Sequence, residues 1–335
     1  TATRETAVLD KLPVAKVVST GTEYDSLQSA IDAITDNTED SIELVRNVTI
    51  SSNTESTVIG GNKKVVLDLK GYTIQSSNKN TIINNGTLEI ISTARTEKAE
   101  GAEEENIVAN AGTGKIINTA GNAINNTGTL NITSGTMQLN ASSTSLIENS
   151  GTLNVNGGTL ISDGYESIVI NNTNVLTINS GTITNNGGNG THIKNTGTVT
   201  LNDGTIKGVV PGFGNVELYG ITGGDVYING GSIYVDSYGC TYGVKTNGIV
   251  KMTGGTVTAF SNPMYGYSIY LEDSETEGIE LTGGTINTNS LGRGAVYNLN
   301  TKEITISNTI NGTVVNESNG TINIVGEANI NTGEG

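Results

Sequence analysis

The sequence has a single cysteine, no tryptophan, two phenylalanines and three prolines in 335 residues. A lone thiol, Cys240, can form no internal disulfide and is too little for a cysteine metal site, so it reads as a small residue filling a corner. With so few large rings, a thick globular interior is excluded, and the core must be narrow and built from Ile, Leu and Val. Cations are scarce as well: 17 Lys and Arg stand against 33 Asp and Glu, a net charge of −16. Scattered positive charge on an acidic chain argues against nucleic acid and anionic membranes as partners. No apolar run approaches the ~20 residues of a membrane span, so no membrane insertion is expected of this segment. The chain opens at Thr1 without a signal-like stretch, and any export signal is expected to have been removed or to lie outside it. Asn-X-Ser/Thr triplets such as Asn47-Val-Thr and Asn189-Gly-Thr arise by chance in so Asn- and Thr-rich a sequence.

What the chain does have is glycine, 45 residues of it, and a phrase written seven times. It runs Leu130-Asn-Ile-Thr-Ser-Gly135-Thr-Met, Leu153-Asn-Val-Asn-Gly-Gly158-Thr-Leu and Leu176-Thr-Ile-Asn-Ser-Gly181-Thr-Ile, then recurs from Val199, Val226, Val250 and Ile279. Subtracting those residue numbers gives spacings of 23, 23, 23, 27, 24 and 29, a length at which one supersecondary unit stacks on the next. Within a phrase, apolar and polar residues alternate, break at a glycine and resume, which reads as strand, sharp corner, strand. Gly135, Gly158, Gly181, Gly204, Gly231, Gly255 and Gly284 form a column where positive φ is expected. Beside it run Thr133, Asn156, Asn179, Asn202, Asn229, Thr253 and Thr282, placed to hydrogen-bond one another along the stack. The segment Leu67-Asp-Leu-Lys-Gly-Tyr-Thr-Ile74 is read in the same register with Tyr72 at the glycine position. Leu88-Glu-Ile90 starts another turn, and Ile304-Thr-Ile306 and Ile322-Asn-Ile324 shortened last ones. The sum is an all-β parallel solenoid of about eleven coils, on the order of 50 Å long at roughly 4.8 Å per strand.

Ahead of the repeat, Leu27, Ala30, Ile31 and Ile34 share one helical face behind an N-cap at Asp25 or Ser26. A short helix there is expected to cap the open end of the first coil, Ile42–Ile50. The expected organisation is an extension over 1–23, a β-helix domain over 24–325 with its cap at 24–41 and an acidic insertion at 92–113, and a tail over 326–335. The insertion, rich in glutamate at 97, 100, 103, 104 and 105, is expected to leave the rod as a loop or short helix without binding a cation.

The succession Ser26-Leu-Gln-Ser-Ala-Ile-Asp, Ile42-Glu-Leu-Val-Arg-Asn-Val-Thr-Ile and Val66-Leu-Asp-Leu-Lys-Gly-Tyr-Thr-Ile, followed by repeated Asn-Gly-Thr-Leu and Gly-Gly-Thr-Ile phrases, resembles the β-helix regions of large cell-surface proteins of Gram-positive bacteria. The resemblance covers about residues 24–325. It implies a right-handed parallel β-helix of pectin-lyase-like fold and an exported, extracellular location, but that superfamily spans lyases, glycosidases, adhesins and stalks.

Chemistry must therefore be argued from residues. Glycosidases need paired carboxylates on neighbouring coils and lyases a calcium site beside a basic residue. The outward column of the first phrase strand reads Asp68, Glu89, Asn131, Asn154, Thr177, Thr200, Tyr227, Lys251 and Glu280, and its later coils place no two carboxylates side by side. Asp203, Asp225 and Asp236 fall at different places in their coils, and His192, the only histidine, reads as solvated or stacking. The Thr136-to-Thr285 hydroxyl column suggests a flat ice-binding array, but its companion column of Gln138, Ile161, Thr184, Lys207, Tyr234, Thr258 and Asn287 is irregular. Aromatics tell more: nine of twelve tyrosines lie between Tyr219 and Tyr297, where the coils lengthen. Extended corners on a rigid scaffold are where binding sites are built, and tyrosine suits sugar rings and protein surfaces alike.

The expected function is a non-enzymatic adhesive or ligand-display module of a bacterial surface protein. It would bind a glycan or a surface protein of a host or neighbouring cell through Tyr234, Asp236, Tyr238, Tyr242, Tyr265, Tyr267 and Tyr270. No cofactor, metal or catalytic residue is expected, and the chain is read as a monomer. A polysaccharide lyase or glycoside hydrolase is the alternative, and a passive stalk the second.

Overall fold

The computed structural model describes residues 12–51, 55–98, 105–109, 111–210, 216–262, 264–289, 294–326 and 328–331. Each regular coil holds three short strands. In one of them Thr152–Val155 lies on a first face, Thr159–Ser162 on a second and Ile168–Asn172 on a third. Successive coils pair in parallel and in register, so that Leu88, Leu130, Leu153, Leu176, Val199 and Val226 form one column. All six are completely buried. Side chains in a strand alternate between faces, and here the inward ones stack on their equivalents above and below, giving a narrow core that runs the length of the rod. The third face is an 11-stranded sheet running from Thr57–Ile59 to Val314–Asn316. The first two merge because Val250–Ser261 and Ile279–Thr288 pass through the corner between them without a break. The fold is an all-β parallel solenoid of about eleven turns.

The glycine column stands where expected, with φ of +91° at Gly135, +75° at Gly158 and +93° at Gly181. At Gly181 a Cβ would also come within 2.9 Å of the Gly157 and Gly158 backbone in the coil below, so conformation and space both demand glycine. The polar column beside it is a ladder: the side-chain amides of Asn179, Asn202 and Asn229 each donate to the preceding rung at 2.8 Å, starting from Asn156.

Two expectations are corrected. The Leu67 segment is in the expected register only after its corner, where Ile74 pairs with Ile116. Before it Val65, not Leu67, aligns with Leu88, because this corner is two residues longer and tucks Leu69 into the core. Val66 therefore takes the outward position opposite Glu89, while Asp68 is buried and accepts hydrogen bonds from the backbone N–H groups of Lys70 and Thr93. The acidic insertion contains no helix among the described residues. Arg95–Lys98 and Glu105–Ala109 pair antiparallel in a separate two-stranded sheet. Arg95 sits 4.0 Å over the Tyr72 ring and 2.8 Å from Glu97, which anchors the insertion to the rod. Glu100, Glu103 and Glu104 lie outside the described residues.

Helix α1, Leu27–Ala33, begins at Ser26, whose hydroxyl accepts the Ser29 N–H, and buries Leu27, Ala30 and Ile31. Ahead of it, Ala15–Val17 runs antiparallel to Ile42–Leu44 and is itself paired with Glu23–Tyr24. From the helix, Gln28 holds Val58 in the first strand of the third face, accepting its N–H at 2.7 Å and donating to its carbonyl at 3.1 Å. A side-chain amide thus substitutes for the peptide of a missing neighbouring strand.

Candidate aromatic binding face

The third face carries one kind of ladder in its first half and another in its second. From Asn84 through Asn126, Asn149 and Asn172 to Asn195, buried side-chain amides each donate to the next at 2.7–2.8 Å. Each of the first four also donates to backbone carbonyls; Asn149, for example, reaches Gly151 at 3.3 Å and Val175 at 3.0 Å. Every polar atom of a fully buried amide is thereby satisfied. This ladder was not anticipated, although the sequence held its signal in Asn126-Thr-Gly, Asn149-Ser-Gly and Asn195-Thr-Gly at coil spacing.

One coil beyond Asn195 the tyrosines begin. Tyr219, Tyr242 and Tyr267 occupy one register column, and their rings stack at centroid separations of 5.0 and 5.3 Å with interplanar angles of 6° and 13°. Three residues along the strand, Tyr270 and Tyr297 form a second stack at 5.1 Å and 5°. The two stacks meet edge to face, Tyr267 with Tyr270 at 5.1 Å and with Tyr297 at 5.3 Å. In-register strands roughly 4.8 Å apart impose this separation, and offset stacks and T-shaped contacts are the favoured ring geometries. Lys245 lies among them, its ammonium 5.0 Å from the Tyr242 ring centroid and 5.6 Å from that of Tyr270, with Glu272 at 3.7 Å. Tyr219, Tyr297 and Lys245 were missed from the sequence. Tyr219-Gly-Ile, Tyr242-Gly-Val and Tyr267-Ser-Ile, aligned coil by coil, would have found the first.

The electrostatics follow from this packing. Burial first, then the hydrogen bond to Glu217, pushes the Tyr219 hydroxyl well above its ordinary value. Burial likewise raises Tyr242, assisted by Cys240 and Glu217. Beside Tyr219 opens a groove of about 480 Å³ lined by Glu166, Asn189, Glu217, Cys240 and Met264. Glu166 and Asn189 both have φ of +53°, and the Asn189 amide accepts the Glu217 N–H at 2.9 Å and donates to the Tyr165 hydroxyl at 2.8 Å.

The seven residues expected to form one site are divided. Tyr242, Tyr267 and Tyr270 come together on the third face, on strands and not in corners as expected. Tyr234 and Asp236 lie on the second face, the tyrosine hydroxyl donating to the carboxylate at 3.2 Å and Phe260 set edge-on at 5.8 Å. Only Tyr238 and Tyr265 occupy turns leading into the third face, 36% and 41% exposed. His192 is neither solvated nor stacked. It is fully buried with Nδ1 2.7 Å from the Tyr219 carbonyl and no partner for Nε2, and burial holds it below its ordinary value despite the opposing pull of the Tyr219 and Lys207 carbonyls. Lys251 pairs with Glu280 at 3.1 Å in the outward column of the first face. Among the described residues, no three of His, Cys, Asp and Glu converge as a metal would require. Among the described residues no helix is long and apolar enough to cross a membrane. No protein-family model, curated protein or solved structure matches this chain.

Proposed function

We propose that this chain is a non-enzymatic segment of an exported bacterial surface protein, a rigid rod presenting an adhesive or ligand-display surface on the aromatic half of its third face. The observation that carries this reading is the gathering of five tyrosines into continuous ring contact on one face, bordered by the exposed Tyr238 and Tyr265 and the Lys245–Glu272 pair. Stacking uses up ring faces within the ladder. A ligand there meets ring edges, phenol hydroxyls and one ion pair, while Tyr238 and Tyr265 supply exposed aromatic surface at the corner. That mixture fits a glycan or a polar protein surface better than an apolar small molecule. Location outside the cell rests on the resemblance to β-helix regions of Gram-positive surface proteins.

The test is a Tyr238→Ala, Tyr265→Ala double variant. With its circular dichroism unchanged, it should lose binding to whatever ligand a glycan array or cell-surface pull-down reveals for the parent. Undiminished binding defeats the reading in favour of a passive stalk. The groove bearing Glu166 and Glu217 gives the enzyme alternative its own test: turnover of an acidic polysaccharide, abolished by Glu217→Gln, would replace the adhesive reading.

A further inference from the structure

The aromatic half of the third face differs from the rest of the molecule in charge as well as in rings. Its strands Thr191–Asn195, Leu218–Thr222, Thr241–Thr246, Gly266–Leu271 and Gly294–Asn298 carry two lysines and no carboxylate, on a chain of net charge −16. The strands of the amide half carry no lysine, and their one charged side chain, Glu148, accepts the Asn171 amide at 2.7 Å. Register sets Asn171, Lys194, Thr222, Lys245 and Tyr270 in one outward column, so the two lysines stand two coils, roughly 10 Å, apart with Thr222 between them. Lys194 is exposed and belongs to no ion pair among the described residues. Lys245 is held in place by rings, its ammonium 5.8, 5.0 and 5.6 Å from the centroids of Tyr219, Tyr242 and Tyr270. Its partner Glu272 lies 3.7 Å away with a side chain 41% exposed. Exposed pairs of that kind are worth little, so an incoming carboxylate can take the place of Glu272.

We propose that this strip binds a linear glycan with a carboxylate on alternate sugars, lying along the rod axis with one carboxylate at Lys194 and the next at Lys245. The inference rests on the display reading above and names its ligand. Two fixed cations on an acidic molecule select an anion by charge complementarity. The same acidity limits how much charge that anion can carry. Glu217 stands at the turn into the face, and Glu272, Asp273, Glu275 and Glu277 follow as the chain leaves it, so a polymer charged at every sugar meets repulsion on both sides. Sparse charge at two-coil spacing avoids it. Between the lysines the strip offers the Thr222 hydroxyl and, alongside, the phenols of the Tyr219–Tyr242 stack, partners suited to the hydroxyls of an intervening sugar. An acidic peptide fits less well. Peptides bound to sheets gain affinity by main-chain pairing at an open edge, and these strands are each paired on both sides by neighbouring coils.

The experiment is calorimetric titration of the 335-residue chain with a hyaluronan hexasaccharide, which carries a carboxylate on every second sugar. Binding is expected, weakening as salt is added, and it should be lost when the carboxylates are reduced to alcohols. Lys194→Gln and Lys245→Gln should each weaken it about tenfold or more, and Lys245→Arg should keep most of it. Lys194 is exposed, so its variant tests the contact even if Lys245→Gln disturbs the rings. Heparin, charged at every sugar, should bind more weakly than the hexasaccharide. Equal binding of the carboxyl-reduced or a neutral chitin hexasaccharide, indifference to Lys194→Gln, tighter binding of heparin or of polyglutamate, or no binding of the hexasaccharide would each overturn the proposal. The display reading is judged separately by the Tyr238→Ala, Tyr265→Ala variant, which keeps both lysines, so the two failures are told apart.

Discussion

The two halves of the third face do the same job with opposite materials. From Asn84 to Asn195 the column is made of buried amides that must meet within a few tenths of an ångström to satisfy one another, and three of their four intervals are 23 residues. The fourth, 42 residues, passes the coil carrying the Arg95–Ala109 hairpin, so the insertion is accommodated outside the column without disturbing it. From Tyr219 to Tyr297 two other columns of the same face carry rings, Tyr219, Tyr242 and Tyr267 in one and Tyr270 and Tyr297 in the next, and the chain between them swells. Stacked rings hold through a broad contact whose energy changes little with small offsets, while an amide left unpaired in the core is expensive. Strict geometry therefore goes with strict coil length, and tolerant geometry frees the corners to vary. That freedom is what a recognition surface needs.

Four experiments sharpen or break this contrast, in order of expected size. Asn149→Leu removes the middle rung of the amide ladder and strands the Asn126 donor and the Asn172 acceptor; a loss of about 3–4 kcal/mol by denaturant unfolding is expected. A loss below about 1 kcal/mol would show that the rungs are not interdependent. Tyr242→Leu keeps an apolar side chain in the middle of the ring stack, and the partly buried position should cost only about 1–2 kcal/mol. If it costs as much as Asn149→Leu, the halves are equally strict.

Titration separates the halves by pH. Tyr219 and Tyr242 have hydroxyl pKa values raised in the folded state, so their contribution is fully present below the ordinary value of 10.0 and is lost as pH climbs above it. Alkaline unfolding, followed by phenolate absorbance, should begin on the tyrosine side and be relieved in the Tyr219→Phe variant. His192 is depressed, so its contribution is present above 6.5 and lost as pH falls below. His192→Gln should flatten the acid limb of stability and leave the alkaline limb alone. The smallest effect belongs to the solvent-facing ladder. Asn179→Ala removes two exposed amide contacts and should cost about 0.5–1 kcal/mol, because water replaces the lost partners.

How far the sequence could be read depended on whether a feature repeats. The glycine corners, the apolar columns and the outer Asn ladder recur at coil spacing, and each stood where its period placed it. The Lys64–Asp68 coil broke the pattern with a longer corner, and reading it by analogy to later coils set Leu67 two residues out of register. The amide ladder was overlooked because asparagine is abundant throughout and its burial leaves no periodic mark distinct from that of a turn. For the tyrosines, density along the chain was visible, but which rings share a face depends on where each corner ends. That is how Tyr234 and Tyr238 came to be grouped with Tyr242. His192 carried no sequence sign of burial, since the residues that enclose it come from neighbouring coils.

The amide ladders have an electrical consequence. In the inner ladder every side chain donates toward the C-terminal end, Asn84 to Asn126 and onward; in the outer one every side chain donates toward the N-terminal end, Asn229 to Asn202 and back to Asn156. Each amide is a dipole comparable to a peptide unit, and aligned dipoles in a hydrogen-bonded chain add and polarise one another. Running in opposite senses, the two chains of dipoles oppose each other over the coils they share, from Asn156 to Asn195, so each keeps its own cooperativity there while their axial dipoles subtract.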